Sequence, residues 1–301
     1  MLSPTRSSGS STRGGDAGPV SVVLTDWSKS HRDKVDAALL SRFGDAWPPV
    51  FREATLYPLR TGGKRIRPLF TCASAEALGA TVDNDLILVG AAAELIHTYS
   101  LVHDDLPCMD DDAERRGKPA VHIAYGEGPA LLVGDALLTE AFRILTATQL
   151  PAEIQILLVH ELAQAAGHVG MIGGQAADVG LGGDVTELDQ LMRLHQGKTG
   201  ALIRGACRMG AVSAGASPEQ LEAITKYGEA IGLAFQMADD VLDAEEDAGD
   251  DGPPSYVRLM GIDQTQARAD ELLNEALTAI EALPQPGALQ ALARFTVERD
   301  H

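Results

Sequence analysis

Aromatic side chains are scarce: 6 Phe, 5 Tyr and 2 Trp make up 4% of 301 residues. Aliphatic and Ala side chains must therefore build most of the interior. Basic residues are also short. Lys and Arg number 24 against 43 Asp and Glu, a formal charge of −19. That balance excludes nucleic acid as a partner, because phosphate backbones are bound by clustered cations. It equally excludes a polybasic membrane-surface anchor. The three cysteines, Cys72, Cys108 and Cys207, are odd in number and far apart. They fit no zinc or disulfide framework and read as reduced thiols of a cytoplasmic protein. No run of about 18 apolar residues predicts a membrane span. Residues 1–18 are rich in Ser and Gly and lack the apolar core of a secretory signal, so a disordered tail is expected there. Alternating Val, Ile and Thr runs are missing, which argues against sheets.

What is present is helical periodicity. Leu221, Ile224, Gly228, Ile231, Phe235, Ala238 and Leu242 recur at steps of three and four, one buried helix face. Ser217 followed by Pro218 supplies a start signal for that helix. The segment 86–105 is apolar nearly all round until it meets its carboxylates, as expected of a helix inside a bundle. Further helices are predicted near 26–43, 68–78, 128–147, 152–167, 186–214 and 264–282, with a last one to the C-terminus. No repeat of 20–50 residues is visible. The expected architecture is all-α: one helical domain over residues 19–301.

Two acidic clusters end apolar helices: Asp104, Asp105 and Asp110, and Asp239, Asp240 and Asp243. Asp239 and Asp243 are four apart and share a helix face, which Gly232 and Gln236 extend backwards. Carboxylates gathered near a core repel one another unless a cation compensates. All-oxygen ligands favour Mg²⁺, which keeps several waters and is often shared with substrate phosphates. Mn²⁺ is the expected substitute.

The few cations are placed selectively. Gly62-Gly63-Lys64-Arg65-Ile66-Arg67-Pro68 puts three of them behind two glycines. Arg115 and Arg116 follow the first acidic cluster, and Lys198-Thr199-Gly200 lies in a third place. Arg forks suit phosphate oxygens. The glycine spacing is not that of a P-loop, so a nucleotide reading fails.

Five motifs stand in a set order: GGKRIRP at 62–68, HTYSLVHDDLPCMDDDAERRGKPAVH at 97–122, GGQAADVG at 173–180, KTGALI at 198–203 and GLAFQMADDVLD at 232–243. Together they resemble the trans-isoprenyl diphosphate synthase, or polyprenyl synthetase, family. The likeness covers roughly residues 25–301 and is greatest to its bacterial farnesyl and plastid geranylgeranyl branches. The resemblance implies a helical bundle of the isoprenoid synthase type with a central active-site cavity, usually a homodimer. It implies an allylic diphosphate bridged by Mg²⁺ between the clusters, with Asp104, Asp110, Asp239 and Asp243 as metal ligands. Asp105 and Asp240 would be further or water-mediated ligands. Isopentenyl diphosphate would be held by Lys64, Arg67, His97 and Arg116, and the allylic diphosphate by Arg115. Lys198, Thr199 and Gln236 would line the reacting end. Ser100 and Tyr99, four and five residues before the first Asp, would set product length. Ser100 lies one turn below Asp104, while helix geometry alone rotates Tyr99 off that line. An aromatic there goes with a C15 product; a C20 product is the alternative.

One departure stands out. The family usually carries Lys in the loop after the second cluster, whereas this chain has no Lys after Lys226. Segment 244–258 instead adds Glu245, Glu246, Asp247, Asp250 and Asp251. A terpene cyclase and a low-activity partner subunit therefore stay open. The first lacks a use for GGKRIRP; the second tends to lose its Asp motifs.

Overall fold

The computed structural model describes residues 19–45, 47–246 and 254–298. The expected tail at 1–18 lies outside them, as does 247–253, the middle of the acidic Lys-free segment.

In chain order the helices are α1 (Pro19–Ser41), α2 (Pro49–Arg60), α3 (Ile66–Ala77), α4 (Asn84–Asp104), α5 (Val121–Tyr125), α6 (Glu127–Thr146), α7 (Ala152–Ala166), α8 (Met171–Asp178) and α9 (Leu188–His195). A π-helical turn, Gln196–Gly200, leads into α10 (Ala201–Ser213). Then come α11 (Pro218–Glu246), α12 (Tyr256–Met260), α13 (Ile262–Ala279) and α14 (Gly287–Val297). The strands among the described residues are β1 (Glu114–Arg115) and β2 (Lys118–Pro119), a minimal hairpin.

Helix α4 runs through the middle. Its N-cap, Asp83, accepts the Leu86 amide at 3.0 Å, and Asp85 adds negative charge to the first turn. Around it pack α1, α3, α6 and α10, and α10 in turn packs on α7 and α11. The apolar circumference is thus buried on all sides. Each fully buried Leu or Ile, such as Leu95 and Ile96, contributes about 1.5–3 kcal/mol. Contrary to the reading from sequence, α4 is long and apolar enough to cross a membrane. Its apolar window is 78% buried, which makes it a core helix.

The expected helical stretch 186–214 is continuous over Leu188–Ser213, with a π turn at Gln196–Gly200 joining α9 to α10. One further expectation needs correction. Helix α2 was hidden by Pro48, Pro49 and Pro58. Pro49 occupies the first turn, where no amide partner is needed, and Pro58 lies near the last. At α11 the expected cap is present as a reciprocal pair. Ser217 Oγ accepts the Gln220 amide at 3.2 Å, and the Ser217 amide donates to Gln220 Oε1 at 2.9 Å.

Candidate active site

Asp104 is the last residue of α4, and the chain folds back immediately after it. The Asp110 amide donates to the Asp104 carbonyl at 2.8 Å, closing the turn around Pro107. Asp104 opens onto a cavity of about 490 Å³. Arg67, His97, Lys198, Thr199, Ser100 and Gln175 are among its other polar groups; Tyr99, Leu101, Leu106, Leu131, Met171 and Ile172 make it largely apolar. Burial pushes the Asp104 carboxyl up to about 6; Lys198 opposes the rise and Asp110 adds to it. A carboxylate in this state is in want of positive charge.

The two acidic clusters divide their labour. Asp105 is buried and receives two hydrogen bonds from Arg115, at 2.9 and 2.5 Å. Asp240 is buried too. It accepts the Tyr256 amide at 2.7 Å and the Gln236 amide at 3.1 Å. Both are expected from sequence as further ligands; Asp240 has both oxygens committed to protein donors, and Asp105 has Oδ1 committed to Arg115. Asp110 and Asp243 are exposed and Asp239 is half-buried. Among the described residues no three acidic, His or Cys side chains converge into a ready cage. The oxygen-only donors fit Mg²⁺, which binds through one or two carboxylates plus substrate phosphates.

The opposite wall is the π turn. Such turns put side chains out of helical phase and recur at functional sites. Its glycines let it lie flush against neighbours: a Cβ on Gly197 would stand 3.0 Å from Gly174 Cα, and one on Gly232 would stand 2.7 Å from Gly200 Cα. Lys198 thereby faces the cavity and forms an ion pair with Asp178. Thr199 Oγ1 donates to Gln236 Oε1 at 3.3 Å, which links the turn to α11 and its acidic end.

The cations gather at one side. Arg67 and His97 line the cavity, and Arg115 and Arg116 line a small adjoining cleft. Burial pushes the Arg67 guanidinium down to about 10, opposed by Glu94 and reinforced by Arg116. Burial, then Arg67 and Arg116, hold the His97 imidazole well below its usual range, so it is neutral. Arg116 sits at a left-handed φ of 56° with Gly117 at 70°, the two-residue pattern of a type I′ hairpin between β1 and β2. That turn lays Arg116 on the Gly62 carbonyl. A Cβ on Gly63 would meet its guanidinium at 2.6 Å, so Gly63 leaves room for it. Lys64 is exposed on the same loop. Arg65, by contrast, is buried away from the cavity.

Tyr99 and Ser100 both face the cavity, so the packing rather than ideal helix geometry decides the placing of Tyr99. The Tyr99 hydroxyl is buried without a partner. His103 packs against Gly134 of α6 and bonds the Leu131 carbonyl at 3.0 Å. Sequence reasoning missed Gln175, whose side-chain amide is buried without partners and lines the cavity, and Asp178. Both lie in the GGQAADVG motif, which was the available signal.

The sequence profile of the family described as polyprenyl synthetase matches residues 48–279. The farnesyl diphosphate synthase of Escherichia coli is 42% identical over 283 residues, 87% of this chain and 94% of that protein. Geranylgeranyl pyrophosphate synthase 11, chloroplastic, of Arabidopsis thaliana is 40% identical over 260 residues, 81% of this chain and 72% of its own length. Among solved structures, an FPP/GFPP synthase from Zymomonas mobilis superposes with a TM-score of 0.85 at 34% identity, covering 92% of this chain and 99% of that one.

Proposed function

Because this chain belongs to the polyprenyl synthetase family, we infer that it is a short-chain trans-prenyltransferase joining isopentenyl diphosphate to an allylic diphosphate, with farnesyl diphosphate as its product. The observation that carries the reading is the cavity. It is acidic at Asp104, cationic at Arg67 and Lys198, polar at the neutral His97, and largely apolar over the rest of its wall.

Asp104, Asp110, Asp239 and Asp243 would hold Mg²⁺. Bound there, the metal supplies Lewis-acid stabilisation of charge developing on the departing diphosphate. Lys198 sits in an ion pair with Asp178, poised to exchange that partner for diphosphate oxygens. Arg115, held by Asp105 and Asp112, offers its remaining donors to the allylic diphosphate. Lys64, Arg67, Arg116 and the neutral N–H of His97 bind isopentenyl diphosphate. Thr199 and Gln236, joined to each other, present their oxygens to the allylic cation. The apolar wall excludes water that would capture it. Tyr99, at 5% exposure, blocks growth of the chain below Asp104.

A homodimer is supported by the apolar side chains left exposed on two successive helices, Leu132 on α6 and Ile156 and Leu157 on α7. A cytoplasmic setting is supported by the three free thiols.

Incubation of purified protein with Mg²⁺, geranyl diphosphate and isopentenyl diphosphate tests the reading by product mass. A C15 diphosphate is expected, and none without isopentenyl diphosphate or with excess chelator. Hydrocarbon release without isopentenyl diphosphate would point to a cyclase instead.

A further inference from the structure

Of the three cations in GGKRIRP, the middle one takes no part in the cavity. Arg65 is 2% exposed and adopts a left-handed φ of 49° just before α3, a conformation that non-glycine residues disfavour. Each nitrogen of its guanidinium is engaged: Nε donates to Asp36 Oδ1 at 2.7 Å, Nη1 to Glu94 Oε1 at 2.9 Å and Nη2 to the Leu59 carbonyl at 2.7 Å. Glu94 is 1% exposed on α4, one turn before His97 and Thr98. Its other oxygen, Oε2, is buried without a partner, and so is Nε of Arg67. The charge of Glu94 also reaches Arg67 and Arg116.

Glu94 keeps a spare oxygen and Arg67 a spare N–H, both buried, and the charge of Glu94 already acts on Arg67. Deprived of its partner, Glu94 would be an uncompensated buried charge and would draw in the nearest cation. We propose that Arg65 is a positioning residue for isopentenyl diphosphate binding: by occupying Glu94, it leaves Arg67 facing the cavity. This rests on the reading that Arg67 contacts the isopentenyl diphosphate. Asp36 and the Leu59 carbonyl fix Arg65 from α1 and α2, so the pair also locks the GGKR loop to three helices.

The test is a comparison of Arg65→Met, Arg65→Met/Glu94→Met and Arg67→Ala in full steady-state kinetics, with urea unfolding alongside. Arg65→Met should raise KM for isopentenyl diphosphate at least about tenfold, with KM for geranyl diphosphate within roughly twofold, because Arg67 is captured by Glu94. The double variant has no carboxylate to capture Arg67, so its KM for isopentenyl diphosphate should return to within about threefold of wild type. Equal rises in both KM values, or an unchanged value in Arg65→Met, overturn the proposal. So does a double variant still about tenfold impaired; this arm decides alone should Arg65→Met not fold. An Arg67→Ala variant with unaltered KM for isopentenyl diphosphate would overturn the underlying site reading instead.

Discussion

Arg115 clasps Asp105 with two donors, Nε at 2.9 Å and Nη2 at 2.5 Å, both on Oδ1. Asp105 is adjacent in sequence to Asp104, yet the two carboxylates have opposite employment. One is neutralised by a guanidinium and the other faces the cavity.

The two Asp→Asn variants should therefore differ in kind. Asp104→Asn is expected to lower kcat by about 10²–10³-fold, since it removes charge from the leaving-group site. Asp105→Asn should lose about 1–3 kcal/mol of stability, because a half-buried guanidinium loses the buried one of its two carboxylate partners. Its main kinetic effect should be a higher KM for the allylic diphosphate through a displaced Arg115. Steady-state kinetics and urea unfolding distinguish the two; equal kcat losses would contradict the division.

Product length should follow Tyr99. Tyr99→Ala removes the aromatic wall and is expected to yield C20 diphosphate, at a stability cost of about 3–5 kcal/mol. Tyr99→Phe should keep the C15 product and be neutral to slightly stabilising, because the buried hydroxyl has no partner. Product mass and thermal midpoints check both. A C15 product from Tyr99→Ala would remove Tyr99 from the role.

The contact between Gly232 and Gly200 should be intolerant of any side chain. Gly232→Ala places a Cβ 2.7 Å from Gly200 Cα, backbone against backbone. Helix α11 and the π turn must separate, which costs about 1–3 kcal/mol. The separation should break the 3.3 Å bond between Thr199 and Gln236 and reduce kcat. Wild-type kcat in a folded Gly232→Ala enzyme would show that this link is not needed.

Acid should weaken the fold through His195. Burial holds its imidazole down at about 4, with Lys198 in the same sense and Asp178 opposing. Its ring lies edge-on to Tyr256 with centroids 5.1 Å apart. Above about pH 6.5 both folded and unfolded chains carry it neutral. Between there and about pH 4 the unfolded chain takes the proton and the folded one does not, so stability falls with pH. The loss, up to about 3 kcal/mol, is read as the pH dependence of the stability difference from His195→Gln, which cancels other groups. A difference independent of pH across that window would show that His195 titrates normally in the fold.

Much of this protein was legible in its sequence because the determining signals are local. The all-round apolar run of α4, the Ser217 cap and the acidic ends of α4 and α11 all act within one or two helical turns. Helix α2 was concealed because prolines read as breakers wherever they stand, although the first turn tolerates them.

The sequence by itself determined which groups are present: the helical class, two acidic clusters, a scarce set of cations, and the ordered motifs of the family. Only the tertiary structure decided which of them are available. Arg65 and Arg67 are two residues apart, yet one is spent inside on Glu94 and the other faces the cavity. Asp104 and Asp105 divide in the same way, and Asp240 is buried with its oxygens taken by Gln236 and Tyr256. The physical reason is that a charge is committed by whatever partner packing brings beside it. Apart from Gln236, one helical turn before Asp240, those partners lie 10 to 29 residues away in chain, or across glycine contacts such as Gly200 with Gly232, where no local pattern reaches.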